Sequence, residues 1–349
     1  MSKDAVTVFF DKAFGAFESA VANSQLIVRY YRIAEETVCL KFAGDALVSQ
    51  ITLAFEHLAI TSVTDPKLTI CIADSDTTRI SLILPAWLQD DRLPRGEIRS
   101  LSDARHYTIY NHHTGAMNLI DIENNRALFW AQAVRYLPWW ICGSPLQRIL
   151  HCWMKHQGKQ LTHAGAIGTS TGGVLLAGKS GSGKSTTALA CLENGLQYVS
   201  EDYCLIATTP QPYCYSVYNS AKLEPNTLKM FSHLNAYCSN PQRKLQEKAF
   251  LFQQHIYPER IISGFPIRAV LILDVTSNPH TQIKPASIVQ GLLALAPSTM
   301  FQLSNCDQQT LDIFTTLLQQ VPCYKLALGR DLQQLTDVIK QLIQAEVVI

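Results

Sequence analysis

The sequence is poor in charge. Only 16% of its 349 residues are Asp, Glu, Lys or Arg, and the formal net charge is +1. This balance has no basic excess to attract a polyanion, so we predict no nucleic-acid partner. Hydrophobic residues make up 47% of the chain. That share excludes a disordered protein and predicts a globular one with a large core.

Paired cysteine motifs are also missing. The chain has ten cysteines, and no two of them form a Cys-x-x-Cys pair. Most lie in apolar stretches, which predicts reduced, buried thiols in a cytosolic protein. The ten histidines show no spacing typical of a zinc site.

Features of membrane insertion and secretion are absent as well. The N-terminal sequence MSKDAVTVFF lacks the basic-then-apolar order of a signal peptide. The most apolar stretch, residues 127–143, is interrupted by Arg135 and Pro138, and it is shorter than the ~20 residues that a membrane span needs. We therefore expect a cytoplasmic protein with no membrane partner.

The length predicts two domains, because a single core rarely grows past about 250–300 residues. Residues 1–125 consist of short segments rich in Val, Ile, Leu and Tyr with turn residues between them. This pattern predicts a strand-rich α+β domain. From its position alone, we hypothesise that this domain docks a peptide substrate. The predicted strands are residues 26–33, 37–44, 67–74 and 79–88.

The hydrophobic period changes near residue 126. The sequence RALFWAQAVRYL has helical spacing, and SPLQRILHCWMKHQG follows it. In the second stretch, Ser144 suits a helix N-cap, Pro145 the first helical position and Gly158 the end of the helix. We predict a helical connector over residues 126–158, followed by an α/β domain over residues 159–349.

A glycine-rich stretch, GKSGSGKST at residues 178–186, fits the pattern G-x-x-x-x-G-K-[ST]. An apolar strand pattern precedes it at 174–178, and a helical pattern follows at 184–195. A flexible tether would not be held between two buried elements. Glycines let successive main-chain N–H groups face phosphate oxygens, and the helix that follows adds its positive N-terminus.

The loop therefore predicts a site for ATP and Mg²⁺. Lys184 is expected to reach the β- and γ-phosphates, the Ser185 hydroxyl to ligate Mg²⁺, and Thr186 to lie near the α-phosphate. The predicted nucleotide-binding residues of the loop are Gly178, Ser180, Gly181, Ser182, Gly183, Lys184, Ser185 and Thr186.

Carboxyl groups are expected near this loop. Glu201 and Asp202 follow the predicted strand 196–200, whose end lies near the phosphate loop in an α/β sheet. One of these acids could hold Mg²⁺ or accept the proton of an attacking hydroxyl, and the alternative is an acidic surface turn. Asp274, at the end of AVLILDV, is a second candidate for the Mg²⁺ ligand. Its pattern equally fits any buried strand that ends in a turn.

Residues 162–206 resemble the core of the HPr kinase/phosphorylase family. His163-Ala164 matches the first strand of that core, residues 178–185 match the loop G-x-S-G-x-G-K-S, and Glu201-Asp202 stands where the family usually has two Asp. The stretches FPIRAVLILD and VPCYKLALGRDLQQLTDVIKQLI look like the closing strands and last helix of HPr-kinase-related proteins. Some of those proteins are found with peptide-modification gene clusters.

The resemblance implies an α/β P-loop kinase domain related to phosphoenolpyruvate carboxykinase. It implies transfer of the γ-phosphoryl group of ATP to a serine hydroxyl of a protein or peptide, and self-association of the chain. By motif position, Asp202 is the preferred base or metal partner, with Ser185 as the other metal ligand, and His163 lies beside the phosphates. The family's late Asn-containing signature is absent, so the phosphorylase direction is not expected.

Two further basic residues are candidates for binding phosphate. Arg330 follows an apolar strand, and Lys222 lies in NSAKLEPN; the alternative for each is a solvated surface position. The leading hypothesis is an ATP-dependent serine kinase acting on a protein or peptide, for example a ribosomal peptide precursor. The alternatives are a nucleotide-binding switch or assembly factor with little transfer activity, and a kinase of a small-molecule alcohol.

Overall fold

A computed structural model describes residues 3–85 and 91–344 of the chain. The protein is a mixed α/β structure with several sheets, and it divides into two compact units. One unit consists of Met1–Gln157 with Leu303–Asn305, and the other of Gly158–Gln302 with Cys306–Ile349. Of the predicted connector 126–158, residues 126–157 fall within the first unit and Gly158 begins the second. The docking role of residues 1–125 stays a prediction.

Within the described residues, the first unit contains a seven-stranded sheet with the order β3-β1-β2-β4-β7-β6-β5. The central pairs β2–β4 and β4–β7 are parallel, and the outer pairs are antiparallel. The strands are β1 Leu26–Ile33, β2 Glu36–Ala43, β3 Ala59–Ile60, β4 Leu68–Asp74, β5 His106–Asn111, β6 Ala116–Asp121 and β7 Arg126–Ala131. The α-helices are α1 Lys3–Ala22, α2 Val48–Thr52, α3 Ser75–Thr78, α4 Trp139–Gly143 and α5 Gln147–His156.

Helix α1 covers one face of this sheet, and the strand-based prediction for residues 1–125 missed it. Its buried residues Phe10, Phe14 and Phe17 recur at three- and four-residue spacing, which is the period of a helix. They pack with side chains of β4, β6 and β7 in one apolar cluster.

Three other predictions for this unit are wrong. The segment 126–131 is strand β7 and not a helix. A central strand that is buried on both faces is continuously apolar, so its hydrophobic period does not distinguish a strand from a helix. Residues 79–85 form no strand, and 86–88 lie outside the described residues. Helix α5 begins at Gln147, with Leu146 in a left-handed conformation as its N-cap, so Ser144 does not cap it.

Within the described residues, the second unit contains a nine-stranded sheet and a two-stranded sheet, β14–β15. The strands are β8 Gln160–Thr162, β9 Gly165–Thr169, β10 Gly172–Ala177, β11 Gln197–Ser200, β12 Cys204–Ala207, β13 Tyr213–Ser216, β14 Ser220–Leu223, β15 Ala249–Phe252, β16 Gly264–Val275, β17 Gln282–Pro285 and β18 Cys323–Leu328. The α-helices are α6 Lys184–Glu193, α7 Pro225–Met230, α8 Ile288–Met300, α9 Gln308–Gln320 and α10 Leu332–Gln344.

Strand β16 connects the two parts of the nine-stranded sheet. Its first residues, 264–266, pair with β13, and its later residues pair in parallel with β10 and β18. Helices α6 and α10 pack on one face of the sheet, and α8 and α9 pack on the other. Successive residues of β10, such as Leu175 and Leu176, point into the two different apolar clusters. This three-layer arrangement explains why these strands are continuously apolar.

The sequence-based predictions for this unit agree with the structure in the elements around the glycine loop. The predicted strands 174–178 and 196–200 correspond to β10 and β11, and the predicted helix 184–195 corresponds to α6. The predicted strand 160–168 is interrupted at His163 and Ala164, between β8 and β9. Across the described ranges, no helix combines the length and apolar character that crossing a membrane requires.

A buried ion cluster at the end of β6 generates a stability prediction. The Asp121 side chain is fully buried, and it accepts hydrogen bonds from Arg105 at 2.8 and 3.0 Å, from Arg126 at 3.1 Å and from Asn124 at 2.7 Å. Burial alone would raise its pKa, but these donors hold the pKa of Asp121 well below its usual range. Because the two guanidinium groups stay partly exposed, we expect Asp121→Asn to lower the free energy of unfolding by about 2–3 kcal/mol at pH 7.

The pH dependence follows from the direction of this shift. The folded-state pKa lies below the unfolded value of about 3.9, so the stabilisation is present above that pH and is lost as the pH falls below it. Urea unfolding at pH 7 and pH 3 measures both effects, with the exposed Asp65→Asn as control. An Asp121→Asn protein that is as stable as wild type at pH 7 would show that the cluster contributes nothing.

Candidate functional site

The candidate site residues of the second unit meet at one edge of its sheet. Strand β9 pairs antiparallel with both β10 and β11, so those two strands run in the same direction and end at the same edge. The glycine loop follows β10, and Glu201 and Asp202 follow β11. His163 lies just before β9 begins, which is at this same edge. The topology therefore brings together three motifs that are separated in sequence.

The glycine loop adopts conformations that favour glycine at three positions, one of them Gly181 with φ +81°. Gly178 has φ +146° and Gly183 has φ +95°. A Cβ at Gly178 would come within 2.6 Å of Ser182 Oγ, and one at Gly183 would come within 2.5 Å of Leu328 Cδ1. In contrast, a Cβ at Gly181 would meet no atom within 4 Å, so the space over this part of the loop is open. The loop is curled tightly at its base and open at its centre.

Lys184 and Ser182 complete the loop. Lys184 is only 7% exposed, and its Nζ donates to the main-chain carbonyls of Gly178 at 2.7 Å and Lys179 at 3.3 Å. Burial lowers the pKa of Lys184, and the nearby carboxylates of Asp202 and Glu201 oppose this change. Among the described residues, the buried Ser182 Oγ has no hydrogen-bond partner. The loop thus contains an inward-facing cation and an unsatisfied hydroxyl.

Ser185 and Glu201 are in direct contact. The Ser185 Oγ donates to Glu201 Oε1, and Glu201 Oε2 accepts the main-chain N–H of Lys222 at 3.1 Å. Glu201 is 5% exposed. Burial raises the pKa of Glu201 to about 7, the neighbouring Asp202 adds to this effect, and the bonds from Ser185 and Lys222 oppose it. The acid that faces the predicted metal-ligand serine is therefore Glu201.

Asp202 lies between two basic side chains. Its Oδ1 is 3.0 Å from His163 Nε2, and its Oδ2 is 2.6 Å from Lys222 Nζ. Burial opposes ionisation, but Lys222 and His163 hold the pKa of Asp202 well below its usual range. About one fifth of the Asp202 side chain remains exposed, at 21%. Asp202 is thus an ionised carboxylate that solvent or a substrate can reach.

A chain of hydrogen bonds orients His163. The Tyr203 hydroxyl donates to Gln302 Oε1, and the Gln302 amide nitrogen lies 3.3 Å from His163 Nδ1. If that amide donates, His163 accepts at Nδ1 and donates from Nε2 to Asp202. The His163 main-chain N–H also donates to Thr299 Oγ1 at 3.1 Å. Sequence reasoning missed Gln302 and Thr299, which lie more than 130 residues after His163 and match no motif.

The remaining predicted residues have other environments. Thr186 Oγ1 lies 3.1 Å from Thr227 Oγ1 of α7, and Ser180 is exposed at the loop surface. Arg330 is exposed just after β18, whose Leu328 contacts the base of the loop at Gly183. The alternative metal ligand Asp274 is half exposed and forms a 2.8 Å ion pair with Lys325. Asp274 is thus paired with Lys325, while its neighbours Leu273 and Val275 lie next to Gly178 and Gly183 of the loop.

These residues fit a magnesium nucleotide. The open space over Gly181, the inward Lys184 ammonium and the unsatisfied Ser182 hydroxyl suit a chain of phosphate oxygens at a helix N-terminus. The hydroxyl of Ser185 and the carboxylate of Glu201 are oxygen ligands of the kind Mg²⁺ prefers. Within residues 3–85 and 91–344, no three His, Cys, Asp or Glu side chains cluster to hold a metal by themselves. A cation here would share its ligands with phosphate, as Mg²⁺ usually does.

Comparison with known proteins gives only a weak structural similarity. No protein-family model matches the chain, and no curated protein matches it. The chain is similar to a solved structure, the Hpr(Ser) kinase/phosphatase from Coxiella burnetii, with 13% sequence identity and a TM-score of 0.28. That match covers 52% of this chain and 93% of the other chain. The function proposed below is supported by the geometry of the site and not by this similarity.

Glu201 generates the prediction for this site. Its folded-state pKa of about 7 lies above the unfolded value of about 4.3, so its contribution to stability is present below pH 4 and is lost as the pH rises through 7. Glu201→Gln removes the titrating group. We expect the ligand-free variant to gain up to about 3 kcal/mol in unfolding free energy relative to wild type between pH 5 and pH 8.

Urea unfolding of the ligand-free protein across this pH range measures the difference. The exposed Glu259→Gln is the matched control, and it should follow the wild-type curve. Parallel curves for Glu201→Gln and wild type would show that Glu201 does not titrate in this range.

Proposed function

We propose that this chain is an ATP-dependent phosphotransferase that phosphorylates a serine hydroxyl of a peptide or protein. The observation that supports this proposal most directly is the meeting of the glycine loop, Lys184, the Ser185–Glu201 pair and the accessible Asp202 at one sheet edge. Phosphoryl transfer requires mainly alignment and charge compensation, and these groups can supply both. The choice of a serine acceptor follows the resemblance of residues 162–206 to the HPr kinase family.

The nucleotide would be bound by the loop and the start of α6. Main-chain N–H groups around Gly181 and the helix N-terminus would face the phosphate oxygens. Lys184 Nζ would exchange the Gly178 carbonyl for a phosphate oxygen, and Ser182 Oγ would gain the partner it lacks. Ser185 and Glu201 would hold Mg²⁺, which neutralises charge on the phosphates.

The acceptor hydroxyl would be oriented by Asp202. As an ionised, partly exposed carboxylate, Asp202 can accept the hydroxyl proton while the serine oxygen forms a bond to the γ-phosphorus and the bond to ADP breaks. His163 holds Asp202 Oδ1 through Nε2, so the carboxylate keeps its direction. The products would be a phosphoserine, ADP and one proton, which Asp202 would pass to solvent because its pKa lies well below its usual range.

Two variants separate nucleotide binding from transfer. We expect Lys184→Met to weaken MgATP binding and to lower kcat/KM by about 100- to 1,000-fold, because a cation on the transferred phosphate is lost. Asp202→Asn should retain MgATP binding and lose about 100- to 10,000-fold in kcat, because only the base is removed. Calorimetry with MgATP measures binding, and radiolabel transfer from ATP to an array of serine peptides measures turnover.

The control is Lys229→Met, which removes an exposed lysine of α7. It should behave as wild type in both assays. Binding of MgATP with no transfer to any peptide would favour a nucleotide-binding switch over a kinase. A wild-type protein that gives no heat with MgATP would contradict both.

A further inference from the structure

Lys222 contacts both acidic residues of the candidate site, through two different groups. Its side-chain Nζ lies 2.6 Å from Asp202 Oδ2, and its main-chain N–H donates to Glu201 Oε2 at 3.1 Å. Lys222 lies in β14, where its main chain pairs with Phe250 of β15. Pairing with β15 holds the main chain of Lys222 in place. Its contacts with Glu201 and Asp202 therefore both start from the same ordered strand residue.

The two contacts separate the carboxyl groups. Glu201 is held with one oxygen on the Lys222 main chain and the other on Ser185 Oγ, so it faces the start of α6. Asp202 is held with one oxygen on the ammonium and the other on His163, so both of its oxygens have basic partners. Without the ammonium, two neighbouring carboxylates would lack the positive charge between them, and Asp202 would be free to turn towards another cation.

We propose that Lys222 is a positioning residue that gives the two carboxyl groups different tasks: Glu201 binds the cation beside Ser185, and Asp202 receives the acceptor hydroxyl. The inference rests on the proposed function for the identity of the cation and the acceptor. The same contacts explain how the chain uses Glu followed by Asp, since the longer Glu201 side chain reaches both Ser185 and the β14 main chain.

The test replaces the side chain and keeps the main-chain contact. Lys222→Met removes the ammonium but leaves the N–H that holds Glu201. We expect it to bind Mn²⁺, used as a probe for Mg²⁺ with ADP present, about tenfold more tightly than wild type, because one positive charge is lost and Asp202 is released. Transfer from ATP to serine peptides should fall by about 100-fold, because Asp202 no longer points at the acceptor.

Electron paramagnetic resonance of free Mn²⁺ measures the affinity, and thermal melting checks that the variant is folded. Lys222→Arg should restore the wild-type Mn²⁺ affinity within about twofold, since it keeps the charge, and it should recover part of the transfer. Lys229→Met is the matched control on the surface. If Lys222→Met does not fold, Lys222→Gln replaces it with a polar side chain of similar length.

The inference would be overturned if Lys222→Met bound Mn²⁺ with the same affinity as wild type, or with a weaker one. Measuring Mn²⁺ affinity requires no turnover, so the proposed function and the positioning role of Lys222 can be contradicted independently. A wild-type protein that binds Mn²⁺ and ADP but phosphorylates no peptide would contradict the proposed function. The ratio of Mn²⁺ affinities between Lys222→Met and wild type would still decide whether Lys222 positions the two carboxyl groups. A wild-type protein that binds no Mn²⁺ with ADP would overturn both.

Discussion

The candidate site depends on how two adjacent carboxyl groups, one buried and one partly exposed, are balanced by their neighbours. Two like charges at Glu201 and Asp202 cannot both be ionised at low cost when they are out of water. The fold solves this by giving Asp202 two basic partners and giving Glu201 a hydroxyl and a main-chain N–H. As a result the two pKa values move in opposite directions. A pair with such divergent pKa values is typical of sites where acid and base tasks are divided.

The sequence predicted the local elements of this site well, because each carries a strong local signal. The glycine loop requires residues that tolerate unusual φ values, and the apolar patterns on either side predict β10 and α6. The pairing of acids after a buried strand placed Glu201 and Asp202 at the right sheet edge. Which acid would face Ser185 was not predictable, because it depends on β14, whose main chain reaches Glu201 from another sheet.

The failures in the first unit have a common physical cause. Strand β7 is buried on both faces, so its apolar run has no alternation and was taken for a helix. Residues 79–85 are exposed or half-buried, with Ile83 88% exposed, and they have no ladder partner in the described part of the chain. Leu146 adopts a left-handed conformation that its side chain gives no reason to expect. In each case tertiary context overrides the local pattern.

The polar chain Tyr203–Gln302–His163–Asp202 joins segments that are far apart in sequence. His163 and Gln302 are separated by 139 residues, and strands β9 to β17 and helices α6 to α8 lie between them along the chain. Bringing these two residues together closes a long loop, which costs conformational entropy. The contact therefore forms only after the rest of the unit has packed and offset this cost. The bonds that orient His163 would therefore form late in folding, and a nascent or truncated chain that ends before α8 would carry the glycine loop without Thr299 and Gln302.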